Sequence, residues 1–502
     1  MPSSPAVPAA DPHLAQQVAR AFADIDWDWQ ALPQGFEPAA LTDIQWRSDA
    51  CGAGSVLCFQ RFDGGPADAE LYRRYLAGKP FALLVTNRAL DCFDALRADG
   101  KAICVARPGA YGRAVARLCD AFYPLPAGHW RIAAVTGTNG KTTTVKYLEA
   151  LLAAAGERVL SVGTLGLALN GVDQGVTGFT SPPLVELRRL LAAYQDRADV
   201  LVTEASSHAL EQERLAGLGF DAGGWTNFSL DHLDYHGTED AYFSAKARIL
   251  GQLGDGVPLY VGSDAVARRL LREHPGAPVR LLAPEPLPQT VLAERPFLAL
   301  AYNQANYALA LALAEQLLGD DSGRLPNEPW RVLSDVDGRF ETFVHGNRTV
   351  VVDFAHTPDA LDNVLRAIRE AFPDARVTTL FGCGGDRDRG KRPLMGAAVA
   401  AHSDHAIVTS DNPRFEDPLA IIDETVAGMA DCAAAPEIIV DRAEAIRALF
   451  DRLAAAPADV LQVALIAGKG HERYIDQQGT KIDYSDQDEV ARNFARLGWG
   501  GA

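Results

Sequence analysis

The sequence predicts an α/β protein of three domains: a small N-terminal α/β domain, a central doubly wound, mostly parallel sheet, and a second α/β unit at the C-terminus. Three observations predict it. The length of 502 residues corresponds to about three domains at roughly 150 residues each. Short apolar runs alternate with stretches of helical spacing, the pattern of strands crossed over by helices. Several runs end in Gly- or Asp-bearing turns, and open α/β sheets bind ligands beyond the carboxyl ends of their strands.

Taken in order, the first ten or so residues are rich in Pro, Ala and Ser and read as a loose tail. The runs at 81–87 and 102–106 are strand candidates of the N-terminal domain, and the turn-rich stretch 123–128 reads as a linker. Arg131–Val135 is a buried strand, followed by a glycine loop and a helix with Val145, Leu148, Leu151 and Leu152 at helical spacing and Gly156 as its stop. Further strands fit Val159–Val162, Val200–Glu204 and Pro258–Val261, and 302–319 reads as an Ala/Leu helix. The chain turns polar over 320–337, and four strand-to-turn segments follow at 349–356, 376–385, 405–414 and 464–472. The expected domains are therefore 1–128, 129–336 and 337–502.

Composition excludes several classes. Hydrophobic residues at 48% and charged residues at 22% are ordinary globular usage, not that of a disordered or fibrous chain. Acids outnumber bases 65 to 47, a formal charge of -18, which repels nucleic acid and anionic membranes. Seven cysteines without a CxxC pair argue against a disulfide scaffold or structural zinc and for a reducing compartment. The N-terminus lacks the basic start and apolar centre of a signal peptide, and no apolar run approaches the length of a membrane span. A cytoplasmic protein is expected.

The strongest chemical signal is Gly137-Thr138-Asn139-Gly140-Lys141-Thr142-Thr143 between strand and helix. Its glycines admit phosphate to backbone N–H groups, and the helix N-terminus adds positive potential. Lys141 can reach the outer phosphates and Thr142 can ligate Mg²⁺. Val135 stands where a strict Walker loop has its first glycine, so the loop is a shortened variant. Glu204 at the end of an apolar strand is a candidate Mg²⁺ ligand. Asp231, His232, Asp234 and His236 form either a divalent-metal site or a solvated polar loop. Arg387, Arg389, Lys391, Arg392 and Arg414 concentrate positive charge at strand ends in an acidic chain, and arginine forks suit carboxylates and phosphates. The residues alone thus indicate an ATP-using enzyme with Mg²⁺ and an anionic, carboxylate-rich second substrate.

Together the stretches TGTNGKTTT, EASSHALEQER, TNFSLDHLDYHGTEDAYFSAKA, YNQAN, GRFE, DFAHTPDAL, FGCGGDRDRGKRPLMG, TSDNPRFEDP and GKGHE resemble the Mur ligase family of peptidoglycan synthesis. The branch they resemble most adds meso-diaminopimelate to UDP-N-acetylmuramoyl-L-alanyl-D-glutamate. The resemblance implies UDP-substrate-, ATP- and amino-acid-binding domains, the last Rossmann-like; a monomer is expected, and the acidic charge leaves neither nucleic acid nor membrane as an expected partner. It implies phosphorylation of the D-glutamate carboxylate by ATP and attack of the diaminopimelate amine on the acyl phosphate. Lys141 would hold phosphates. Glu204 and His232 would sit at the Mg²⁺ and phosphate site, and a carbamylated Lys246 would hold a second Mg²⁺. Asn306, Arg339 and Asp353 would serve the ATP site. Thr180, Ser181, Ser206, Gln212 and Arg214 would contact the UDP-substrate, with Ser48 near the uracil. Arg392, Asp411, Asn412, Pro413, Arg414, Gly468 and Glu472 would recognise diaminopimelate. The family's N-terminal Asp-Ser-Arg is here Arg47-Ser48-Asp49. That departure leaves open a second reading, a paralogue that joins an amino acid to a different carboxylate.

Overall fold

The structure, a computed structural model, describes residues 12–500 apart from 63–64, 284–285, 431 and 433. The tail expected over the first ten residues lies outside them. By contacts the chain forms two compact units, one of Met1–Thr136, Gly156–Gly223 and Ala245–Leu259, the other of Gly137–Ala155, Gly224–Ser244 and Tyr260–Ala502.

In the first unit, a five-stranded sheet has the order Trp27–Ala31, Ala102–Ala106, Phe81–Thr86, Ser55–Phe59, Asp43–Gln45. Side chains alternate faces along a strand. Leu83 and Val85 accordingly join Val18, Phe22, Val115 and Leu118 on one side, while Leu84 joins Leu57, Leu96 and Ile103 on the other. Glu213, at φ +54°, accepts a 2.7 Å hydrogen bond from the Gly112 amide in the first turn of helix Tyr111–Phe122.

An eight-stranded sheet has the order Val279–Leu281, Leu259–Val261, Ala222–Trp225, Arg131–Thr136, Val200–Glu204, Val159–Gly163, Gly166–Leu169, Val172–Gly175. Val200–Glu204 runs parallel to both neighbours, and the last two strands are antiparallel. The four strands expected from the sequence here are present.

In the second unit, helix Ala301–Leu318 packs along helix Lys141–Ala154. The C-terminal sheet has the order Glu341–His345, Arg348–Asp353, Gln462–Ala467, Arg376–Phe381, His405–Val408, Glu437–Ile438, parallel except at its first pair. Its strands read as continuous apolar runs because both faces are covered: Val351, Val377 and Leu465 face one core, Val350, Leu380 and Ile466 the other.

Candidate active site

The glycine loop follows strand Arg131–Thr136 and opens helix Lys141–Ala154. Its backbone is tied to a neighbouring turn: the Thr138 amide donates to Asn227 O at 3.0 Å, the Asn139 amide to Asn227 Oδ1 at 2.9 Å, and Thr226 Oγ1 to Asn139 O at 2.5 Å. Gly140 has φ +82°, and a side chain there would run into the Asn306 carboxamide. Lys141 Nζ curls over the loop and donates to Gly137 O at 3.0 Å and Thr138 O at 2.7 Å. Asn306, buried, accepts from Thr144 Oγ1 at 3.4 Å. Arg339 reaches Thr142 Oγ1 at 3.3 Å and lies 4.4 Å from the centre of the Phe354 ring. Asp353 is fixed by the amides of Phe340 and Ala355, both 2.7 Å away. Burial pushes its carboxyl up, against the charge of Arg339 and those two amides.

A second cluster surrounds Glu204. This carboxylate is buried and pairs across the sheet with Val135, two residues before the loop begins. Oε1 accepts from the Thr164 amide at 2.7 Å and Oε2 from Thr164 Oγ1 at 3.2 Å. Thr164 also meets Thr180, at 3.1 Å. Ser181 Oγ donates to Glu204 O at 2.7 Å and lies 3.3 Å from Ser206 Oγ. Arg214 donates to Ser181 O at 2.8 Å and, through Nε and Nη2, to Gln212 Oε1. Its guanidinium stands 5.6 Å from the centre of the Phe179 ring, and Trp46 meets Phe179 edge-on at 5.6 Å. Ser48, buried in the short helix Ser48–Ala50, follows Trp46 by two residues. The structure thus brings Thr180, Ser181, Ser206, Gln212 and Arg214 together around Glu204. Thr164 joins them without having been singled out in the sequence. Its one signal was a hydroxyl directly after an apolar strand.

Lys246 is 1% exposed, on helix Glu239–Ala247. His232 has a left-handed backbone, φ +53°, and its Nε2 lies 3.4 Å from Asp231 Oδ2. Burial would raise the Asp231 carboxyl, but His232, His356 and Lys391 lower it overall. Among the described residues no three His, Cys, Asp or Glu side chains converge to hold a metal.

Three turns leave the carboxyl ends of adjacent strands Gln462–Ala467, Arg376–Phe381 and His405–Val408. Asn412 Nδ2 donates to Glu472 Oε2 at 2.9 Å. Arg414, at φ +50°, donates to Gly385 O at 2.7 Å. The Pro413 carbonyl packs against Gly385 so closely that a side chain there would collide with it. Arg414 Nη1 and Arg387 Cγ flank Gly384, 3.1 and 3.8 Å from where its Cβ would stand. Arg387 is exposed and no acceptor among the described residues holds it. Arg392 behaves differently: 1% exposed, it donates to Glu416 at 2.7 and 3.0 Å, to Glu424 at 2.8 Å and to Gly384 O. Its guanidinium is engaged inside the protein, and Arg387 stands beside Arg414 instead. Glu416 pairs with Arg392 and leaves Arg414 to the backbone.

Two family models match the chain, the Mur ligase middle domain over residues 135–283 and the Mur ligase, glutamate ligase domain over residues 338–470. A protein of Synechococcus elongatus named UDP-N-acetylmuramoyl-L-alanyl-D-glutamate--2,6-diaminopimelate ligase is 37% identical over 484 residues, 90% of this chain and 93% of its own. The chain belongs to the Mur ligase family. A Geobacillus thermodenitrificans protein of the same name is also 37% identical, over 76% of this chain and 82% of its own. A solved structure of an enzyme with that name superposes with a TM-score of 0.59 at 27% identity, covering 96% of this Mur ligase and 99% of that chain. The MurF ligase of Thermotoga maritima in complex with ADP shares the fold, with a TM-score of 0.53 at 14% identity over 91% and 97% of the two chains.

Proposed function

We propose that this Mur ligase joins meso-diaminopimelate to the D-glutamate carboxylate of UDP-N-acetylmuramoyl-L-alanyl-D-glutamate. The γ-phosphoryl of ATP passes to the carboxylate, leaving ADP and an acyl phosphate. The diaminopimelate amine then attacks the acyl carbon, phosphate departs and the amine loses a proton. The observation that carries the reading is the meeting of the Arg414 guanidinium and the Arg387 side-chain stem at Gly384, with the Asn412–Glu472 pair on the neighbouring turns. Two guanidiniums and a carboxylate suit the zwitterionic far end of diaminopimelate. The relatives carry the name of that enzyme, and the reading of a different carboxylate acceptor finds no support among them.

The division of labour follows the sites. Gly137–Thr143 with Asn306, Arg339 and Asp353 take ATP. Thr180, Ser181, Ser206, Gln212 and Arg214, with Ser48, take the UDP-substrate. Mg²⁺ is a hard cation that prefers oxygen donors. The Thr142 hydroxyl, the buried Glu204 carboxylate and a carbamate on buried Lys246 would supply such donors, and His232 would serve the phosphates. Carbamylation would convert the lysine's cation into an anionic group with oxygen donors, which a hard cation prefers. The three sheets, within residues 27–106, 131–281 and 341–467, support domains at 1–128, 129–336 and 337–502. We further propose a cytoplasmic monomer; no helix among the described residues is long and apolar enough to cross a membrane.

Product mass after incubation with ATP, Mg²⁺, the UDP-dipeptide and either diaminopimelate or L-lysine tests this. The diaminopimelate adduct is expected, with kcat/KM for lysine lower by about one to two orders of magnitude, the scale of losing hydrogen bonds to charged groups. Equal use of both amino acids overturns it.

A further inference from the structure

Lys469 is the most deeply buried lysine at the amino-acid pocket, with no exposed side-chain surface. It stands between Gly468 and Gly470 on the turn after strand Gln462–Ala467. Gly468 has φ +115°, and a Cβ there would fall 2.6 Å from Asp411 Oδ2. That close approach lets the turn fold inward and carry the lysine with it. Lys469 Nζ donates to Tyr474 O at 2.8 Å, to Asn412 Oδ1 at 3.1 Å, and to Asp411 Oδ1 and Glu472 Oε2 at 3.4 Å each. The Asp476 amide also donates to Asn412 Oδ1, at 2.8 Å. Two donors on one oxygen fix which way the Asn412 carboxamide points, so its Nδ2 faces Glu472. Glu472 is thereby held at one oxygen by two donors, while Oε1 has no partner among the described residues.

We propose that Lys469 is a positioning residue for the amino-acid substrate: it locks Asp411, Asn412 and Glu472 into one arrangement and so aims the Glu472 carboxylate at the substrate ammonium, without touching the substrate. The inference rests on the proposed role of this pocket. One cation against two acids leaves this cluster with a net charge of −1, the sign that receives an ammonium. Lysine suits this place because its ammonium can spread donors among four acceptors on two turns and a hairpin strand. A neutral side chain would leave Asp411 and Glu472 repelling each other.

The test is steady-state kinetics of Lys469→Met, with KM measured for each of the three substrates. The KM for diaminopimelate is expected to rise roughly 10- to 100-fold, the effect of losing hydrogen bonds to charged groups, while the KM values for ATP and the UDP-dipeptide stay within about twofold. A purely architectural lysine would instead lower the active fraction, and hence kcat, with all three KM values unchanged; that result overturns the proposal. Lys469→Gln, which keeps a donor, should fall between the variant and the wild type and guards against misfolding of the first. If neither variant yields folded protein by circular dichroism and ATP binding, Lys469 is a core residue and the proposal fails. Wild-type enzyme that does not use diaminopimelate overturns the pocket assignment itself, a result distinct from an unchanged KM in the variant.

Discussion

At the scale of single residues, the same charge does different work depending on its partners. Lys141 lies along the loop with its ammonium on two backbone carbonyls, acceptors that ATP phosphates outcompete by charge. Lys141→Ala should retain its fold and lose about 10²–10⁴-fold in kcat, the scale of removing a preorganised charge from a transition state. Near-normal turnover of the purified variant would count against the phosphate loop. The basic stretch 387–392 separates in the same way. Arg392→Met removes a buried cation from Glu416 and Glu424, whose side chains remain 23% and 30% exposed. Water therefore screens the stranded acids, and the cost should be about 1–3 kcal/mol, read as a fall in Tm. Arg387→Ala should leave Tm within a degree or so and raise the KM for diaminopimelate. The opposite pairing of effects would restore Arg392 to the pocket.

Secondary-structure elements explain which parts of this architecture were legible in the sequence. Buried parallel strands such as Val200–Glu204 and Gln462–Ala467 announce themselves as apolar runs. The hairpin Tyr474–Gln477 with Thr480–Asp483 does not, because its strands are mostly exposed and carry Asp, Gln and Lys. Val172–Gly175 is silent for the same reason. Site residues at strand ends were legible by type. Lys469 was not, because a lysine between glycines reads as solvated, and its acceptors Asp411 and Asn412 are remote in sequence. Arg387 and Arg392 could not be told apart until Glu416 and Glu424 were placed. The loop-to-helix junction offers a test at this scale. Gly140 combines φ +82° with an occupied space where Cβ would go. Gly140→Ala should therefore distort the turn at a cost of about 1–3 kcal/mol. ATP affinity by calorimetry should fall at least tenfold while the helix content by circular dichroism stays constant. Unchanged affinity would show that the turn tolerates a side chain.

At the scale of the whole molecule, buried titratable groups set how stability responds to acid. His471 lies within ring contact of Phe354, 5.1 Å between centres. Burial first, then the charges of Arg339 and His356, hold its imidazole down at about 3, against 6.5 in an unfolded chain. His356 is lowered too, by burial and then by Lys391, with Asp231 opposing. Between those values the unfolded chain binds protons that the folded chain refuses, so stability rises with pH there. The contribution of His471 is complete above pH 6.5 and is lost as pH falls toward 3. Glu416 acts lower on the scale. Its hydrogen bonds from Arg392 hold it at about 2, against 4.5 unfolded, so its contribution is complete above pH 4.5 and is lost as pH falls toward 2. Acid unfolding should therefore begin at the histidines and steepen at the carboxylates. Midpoints of urea unfolding measured from pH 8 to 4 should be flat down to about 7 and then decline. His471→Gln lowers the starting stability through lost packing but removes one proton-binding site from the unfolded chain. Its decline between pH 6.5 and 5 should be shallower than that of the wild type. Parallel declines would mean that His471 is protonated in the folded protein and that the neutral, buried histidine is not what limits stability in mild acid.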